Sequence, residues 1–205
     1  NDVIAKNIIN NDHGLSFDVY IHKDLFGHFA LPFYGMHMLY DSLAVITLGY
    51  LENMSAEYIQ ERLSTFDGVK RRYTVKTVGN NIYVDDYAHH PTEIKATLRA
   101  AKELEKHRVI CVFQPHRYTR TSLLKDEFAT AFTSADEIYM TDIYSSGEDP
   151  IAGIDGRTIP DAVEAATHKV VHYVPSVDDI PAVLAKIVRP NDLVITMGAG
   201  SINQY

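Results

Sequence analysis

Two carboxylates, a phenol and two imidazoles stand side by side in Asp85-Asp86-Tyr87-Ala88-His89-His90-Pro91. Such a set can accept hydrogen bonds from sugar hydroxyls, pass protons and stack against a ring. A second run, Gln114-Pro115-His116-Arg117-Tyr118-Thr119-Arg120, sets two guanidinium groups three positions apart beside another imidazole. A guanidinium grips a carboxylate or phosphate through a bidentate fork. The competing reading is a pair of solvated surface arginines making weak ion pairs. Adjacent residues of an extended segment point to opposite sides. One of His89 and His90 is therefore expected in the site, and the other packs or caps. By the same rule one aspartate faces ribose hydroxyls while its neighbour satisfies backbone or an arginine. No cysteine or H-x-x-x-H spacing accompanies the histidines, so no metal is assigned to them.

What decides between site and surface is where the elements put these runs. Asn81-Ile82-Tyr83-Val84 reads as a strand ending at Asp85. An amphipathic helix follows over 92–105, with Ile94, Leu98, Ala101 and Leu104 on one face and Pro91 suited to its first turn. Further strands are expected over 71–78, 108–113, 137–141, 169–174 and 192–197, with helices over 121–133, 158–166 and 177–187. Alternation of this kind predicts a mainly parallel sheet flanked by helices, an α/β, Rossmann-like architecture. Parallel strands bring their C-terminal ends to one edge. Asp85 to Pro91, Gln114 to Arg120, Asp142 to Glu148 and Gly198-Ala199-Gly200-Ser201 would then line a common crevice.

Upstream the pattern differs. Residues 1–33 read as β-structure: Phe17, Val19 and Ile21 alternate with polar neighbours, and a turn at 23–27 leads to His28-Phe29-Ala30-Leu31-Pro32, a predicted hairpin. A helix over 37–51 carries Leu39, Leu43, Ile46 and Tyr50; a second, capped by Ser55, carries Tyr58, Ile59, Leu63 and Phe66. Asp67-Gly68 opens a turn before the basic cluster at 70–72, and the domain boundary is placed there: 1–68 and 69–205.

The totals narrow the class. The 205 residues are 46% hydrophobic and 22% charged, with net charge −8. That balance argues against nucleic acid or an anionic membrane as partner. No apolar run approaches a membrane span, and no signal peptide is expected. The single cysteine, Cys111, lies within an apolar strand, which fits a reducing cytoplasm. The chain begins at Asn1 and is expected to be part of a longer polypeptide.

Val84-Asp85-Asp86-Tyr87-Ala88-His89-His90-Pro91-Thr92-Glu93, together with the 113–120 run, resembles the C-terminal domain of the Mur ligase family, in its alanine-adding branch. Gly68-Val69-Lys70-Arg71-Arg72-Tyr73, Ser145-Ser146-Gly147-Glu148-Asp149-Pro150-Ile151 and Thr196-Met197-Gly198-Ala199-Gly200 support the likeness, which runs over essentially the whole chain. The branch that recycles murein tripeptide shares the Asp-Asp-aromatic-Ala-His-His-Pro element. The His-Arg-Tyr-Thr-Arg run favours the alanine-adding one.

The resemblance implies that 1–68 are the remnant of a second α/β domain, the C-terminal part of a central ATP-binding domain. Residues 69–205 are then the C-terminal Rossmann-like domain. It implies a cytoplasmic, ATP-dependent ligase of peptidoglycan synthesis, and so of cell-wall biogenesis, cell shape and division. Such an enzyme joins L-alanine to UDP-N-acetylmuramate through an acyl phosphate. The UDP-sugar domain, the P-loop and the Mg2+ ligands would lie upstream. Asp86 matches the carboxylate on the ATP ribose, and Arg72, with Arg71, the arginine near ribose and phosphates. His89 takes the catalytic role; Arg117, Arg120, His116 and Tyr87 match the region that receives alanine and the muramoyl end. His37 and Asp41 fall in the family's G-x-H-N-x-x-N adenine element, which here reads Gly35-Met36-His37-Met38-Leu39-Tyr40-Asp41. Asp41 can accept from the adenine amino group but cannot donate to the ring as an amide does.

Two other classes compete. One is a stand-alone nucleotide-binding module without catalysis. The other, a nicotinamide oxidoreductase, rests on Gly198-Ala199-Gly200 alone, which lacks the third glycine and later acidic residue of a dinucleotide fingerprint.

Overall fold

A computed structural model describes residues 2–11, 14–66, 68–103 and 108–204, in two compact units, Asn1–Val69 and Lys70–Tyr205. Asp67 and the end of the helix expected to reach residue 105, with Leu104, fall outside the described residues.

In the first unit, β1 (Val3–Asn11), β2 (Gly14–Ile21) and β3 (Asp24–Leu31) form an antiparallel sheet in that order. Alternation in β2 buries Leu15, Phe17, Val19 and Ile21, and Phe17 lies 6.1 Å from Phe29 of β3. The β-structure expected over 1–33 is three strands: the predicted hairpin is β2 and β3, and β1 precedes it. The polar middle of β1 hides its period, and the turn shrinks to His22 and Lys23, both at positive φ. Helix α1 (Met36–Leu51) buries Leu39 and Ile46, and α2 (Ala56–Ser64) buries Ile59 and Leu63. Ser55 caps α2 as expected, its hydroxyl accepting from the Tyr58 N–H at 3.2 Å.

The second unit is a six-stranded sheet flanked by helices, the mainly parallel α/β architecture expected. Its strands are β4 (Thr74–Val78), β5 (Asn81–Asp86), β6 (Arg108–Phe113), β7 (Glu137–Met140), β8 (Val171–Tyr173) and β9 (Asp192–Met197). Their spatial order is β4-β5-β9-β6-β7-β8, parallel except for the β4–β5 hairpin. The central strands β6 and β9 are apolar on both faces, as strands covered on both sides must be. Ile110, Val112 and Val194 pack with Ile180 on one side. Phe113 meets Phe128 and Phe132, with ring centroids 5.9 and 5.2 Å away. Cys111 is wholly buried, and burial pushes its thiol pKa up, which keeps it protonated and inert.

The covering helices are α3 (Pro91–Glu103), α4 (Tyr118–Leu123), α5 (Lys125–Phe128), α6 (Thr158–Thr167) and α7 (Ile180–Ile187). The single helix expected over 121–133 is thus two short ones. The first begins earlier than expected and breaks at Leu124, whose φ of −110° leaves the helical range. Among the described residues, no helix is long and apolar enough to cross a membrane.

Candidate functional site

The site lies along the edge where β5, β6, β7 and β9 end. At the end of β5, Asp86 is the buried aspartate, 4% exposed. Its carboxylate accepts the N–H of Ala88 at 2.7 Å and that of Tyr73 at 2.8 Å. It thereby ties the strand end to the segment that carries both arginines. Asp85 pairs with Arg71 at 3.4 Å. Burial raises its pKa, and the opposing Arg71 charge and Thr196 hydroxyl only partly offset that rise.

Arg71 is committed: beyond Asp85 it donates to the Gly198 carbonyl. Arg72 is about half exposed, 3.7 Å from Glu93. Both guanidinium groups lie over the Tyr87 ring, at 5.0 and 5.7 Å, within cation–π range.

The two histidines separate as alternation requires. His90 caps α3: its Nδ1 accepts the Thr92 N–H at 3.3 Å, while Glu93 Oε2 accepts the N–H of His90 at 3.1 Å and of His89 at 3.0 Å. This is a capping box with histidine in the usual serine or threonine place, and Pro91 fills the first helical position. Burial opposes ionisation of Glu93, but those N–H donors and the charges of His89 and Arg72 outweigh it and hold the pKa low.

His89 turns the other way. Its Nδ1 lies 2.9 Å from the Tyr87 carbonyl, an acceptor only, so Nδ1 carries a proton and the lone pair of the neutral ring is on Nε2. The ring meets Tyr87 edge-on at 5.2 Å and His116, also edge-on, at 6.1 Å. His116 holds the opposite tautomer. Its Nδ1 is 3.0 Å from Arg120 Nη1, which can only donate, so the proton sits on Nε2. His116 also stacks on Tyr144 at 5.6 Å. Burial and the charges of Arg120, His89 and Arg117 lower its pKa against the pull of Glu148. One imidazole acceptor and one imidazole donor thus stand side by side.

The arginine fork differs from expectation in one respect. Arg120, four residues after His116, turns back to its ring and carbonyl, the latter at 3.1 Å. Arg117 is left as the outward group, 48% exposed. Its backbone adopts φ 74° and ψ 136°. A residue with a Cβ adopts this conformation at a cost of about 1–3 kcal/mol, and such strain gathers at functional sites.

The β9 end completes the rim. Gln114, 5% exposed, accepts the Ile202 N–H at 3.1 Å. At Gly200 a side chain would collide with Gln114 Oε1 and the Tyr144 ring. Gly198-Ala199-Gly200 is therefore a close backbone approach at the sheet edge.

Tyr87, His89, His116, Arg117 and Arg120 are brought together, with Arg71 and Arg72 stacked on Tyr87. His37 and Asp41 lie on α1 of the first unit. Sequence reasoning placed Tyr144 and Glu148 on the crevice only within the 142–148 segment, and gave neither them nor Glu93 a role of its own. The spacing from His90 to Glu93 is a legible capping pattern, whereas the partners of Tyr144 and Glu148 are distant in sequence. A magnesium ion needs oxygens free to turn towards it. Asp85, Asp86, Glu93 and Glu148 each face an arginine or a backbone N–H. Among the described residues, no three His, Cys, Asp or Glu side chains are grouped to hold a metal. These residues do not fit that ion.

A mainly parallel sheet with a cation- and imidazole-lined edge defines an α/β domain of the Rossmann-like class. Residues 71–200 match the family described as Mur ligase, glutamate ligase domain, and the chain belongs to the Mur ligase family. A UDP-N-acetylmuramate–L-alanine ligase from Anaeromyxobacter dehalogenans is 44% identical over 202 residues, 98% of this chain and 44% of that protein. Its counterpart from Syntrophus aciditrophicus is 42% identical over 98% of this chain and 42% of its own length. The solved UDP-N-acetylmuramate-alanine ligase of Thermotoga maritima superposes with a TM-score of 0.83 at 27% identity, over 99% of this chain and 44% of that one. The chain spans somewhat less than half the length of the relatives it matches.

Proposed function

We propose that this chain is the C-terminal portion of an ATP-dependent ligase that joins L-alanine to UDP-N-acetylmuramate. The observation that carries the reading is the meeting of an outward arginine with paired imidazoles of opposite tautomer on one sheet edge. The reaction needs both. A carboxylate is a poor electrophile, so the muramoyl carboxylate first attacks the γ-phosphorus of ATP, giving an acyl phosphate and ADP. The amine of alanine then attacks the acyl carbon, phosphate leaves and the nitrogen loses a proton.

In this scheme the Arg117 guanidinium takes the alanine carboxylate. The Nε2 lone pair of His89 accepts the amine proton. His116 offers Nε2–H to an oxygen of the substrates, and Arg120 fixes its tautomer. Arg72 faces the nucleotide phosphates, and Arg71 holds the Gly198 loop beside it. A ribose role for Asp86 requires sharing oxygens that already hold the Tyr73 and Ala88 N–H groups, so Asp86 also shapes that contact. His37 and Asp41 belong to the adenine contact in the same reading. The phosphate-cradling loop and the magnesium ligands are assigned to residues beyond this chain, which has no G-x-x-x-x-G-K-[ST] run.

The test is phosphate release from ATP by the full polypeptide containing this chain, with UDP-N-acetylmuramate present. Release should require L-alanine and yield an amide product. Release unaffected by omitting the amino acid refutes the assignment.

A further inference from the structure

The strained backbone of Arg117 is held from both ends by one segment, residues 144–148. Ahead of the helix, the Arg117 N–H donates to the Tyr144 carbonyl at 2.9 Å, and the Tyr144 N–H donates to Pro115 at 2.8 Å. Behind Arg117, Glu148 takes both donors of Thr119: the N–H at 3.0 Å and the hydroxyl at 2.6 Å. Glu148 Oε1 also lies 3.9 Å from an Arg117 guanidinium nitrogen, too far for a hydrogen bond but close enough to attract the cation. The Thr119 hydroxyl and N–H hold the Glu148 carboxyl below the usual range, so it stays ionised through neutral pH.

Arg117 opens α4 with no side-chain cap of its own, and the early N–H groups of a helix need outside acceptors. Glu148 supplies one from across the sheet edge. The alternative would be a helix that starts later and an Arg117 free to relax out of its strained conformation.

We propose that Glu148 is a positioning residue for the amino-acid subsite. Its clamp on Thr119 fixes the first turn of α4 and so aims Arg117 at the crevice, while its charge restrains the guanidinium until a substrate carboxylate takes over. The proposal rests on the ligase reading and concerns a residue that need not touch substrate.

Three variants in the full polypeptide test it: E148A, E148Q and T119A. E148A is expected to raise KM for L-alanine about tenfold, as for loss of a charged hydrogen bond worth about 1.4 kcal/mol, with a smaller fall in kcat. E148Q, which keeps a carbonyl acceptor for the Thr119 N–H, should recover part of that loss. T119A removes only the hydroxyl donor and should give a smaller rise in the same constant. It carries the comparison if E148A does not fold. An unchanged KM for alanine in E148A, or in T119A where E148A is lost, overturns the proposal. So does an E148Q no better than E148A. If the wild-type enzyme shows no alanine-dependent turnover, the ligase reading fails instead.

Discussion

His116 links the electrostatics of the site to its stability. Burial and the neighbouring Arg120, His89 and Arg117 side chains hold its pKa low. The unfolded chain therefore takes up a proton that the folded chain refuses. The stability due to its neutral form is present above the unfolded histidine value, near 6.5, and is withdrawn as pH falls through it. H116Q removes this proton uptake. Urea melts should show a wild-type advantage over H116Q that narrows between about pH 7.5 and 5.5; a widening advantage would mean that the folded ring is the better base. Glu93 has the opposite charge logic: its lowered pKa gives stability above the ordinary glutamate range that is lost as pH falls through the folded value. Removing it also uncaps α3. E93A should cost about 1 kcal/mol in a melt near neutrality, and a cost that persists undiminished at pH 3 would contradict an ionised cap.

At the scale of elements, α1 stands apart from the helices of the second unit. Leu48, Leu51 and Tyr40 are exposed on a helix that also buries Leu39 and Ile46, so apolar residues occupy nearly its whole circumference. Val45, Leu48, Met54, Tyr58 and Phe66 line an apolar groove with α2. A helix of this kind, packed on one face only, opens more readily than strands buried on both. Hydrogen exchange of the 205-residue chain should find the amides of α1 less protected than those of β6 and β9; equal protection would go against it. In the second unit, I94A should cost about 2–5 kcal/mol, since Ile94 is fully buried on the inner face of α3.

The elements that local pattern fixes were the legible ones. Residues 108–113 and 192–197 match β6 and β9 because each is a short apolar run, and Ser55 announced α2 through its hydroxyl. The bounds and pairing of the third antiparallel strand, in a stretch legible only as β-structure, and the early start of α4 were not legible. The first rests on pairing with β2 and the second on Glu148, which lies 29 residues beyond Thr119. The convergence of Tyr87, His89, His116 and Arg117 follows from strand order, and the expectation of a parallel sheet was sufficient for it. The split between outward Arg117 and inward Arg120 was not, because it depends on which ring each side chain meets.

At the scale of the whole molecule, the chain has two units and spans less than half of its Mur ligase relatives. On the proposed reading, as the C-terminal portion of a ligase, it would supply one part of a larger active site. These 205 residues alone should therefore release no phosphate from ATP with UDP-N-acetylmuramate and L-alanine; turnover by this piece would mean that the chemistry is wrongly assigned. The central claim is that the sheet edge carrying Arg117 receives the amino acid. Its most direct measurement is the KM for L-alanine in the full polypeptide, wild type against R117A. The predicted result is a rise of roughly 10- to 100-fold, the loss of hydrogen bonds to a charged group, with the KM for ATP little changed. Equal alanine KM values in the two proteins would contradict it.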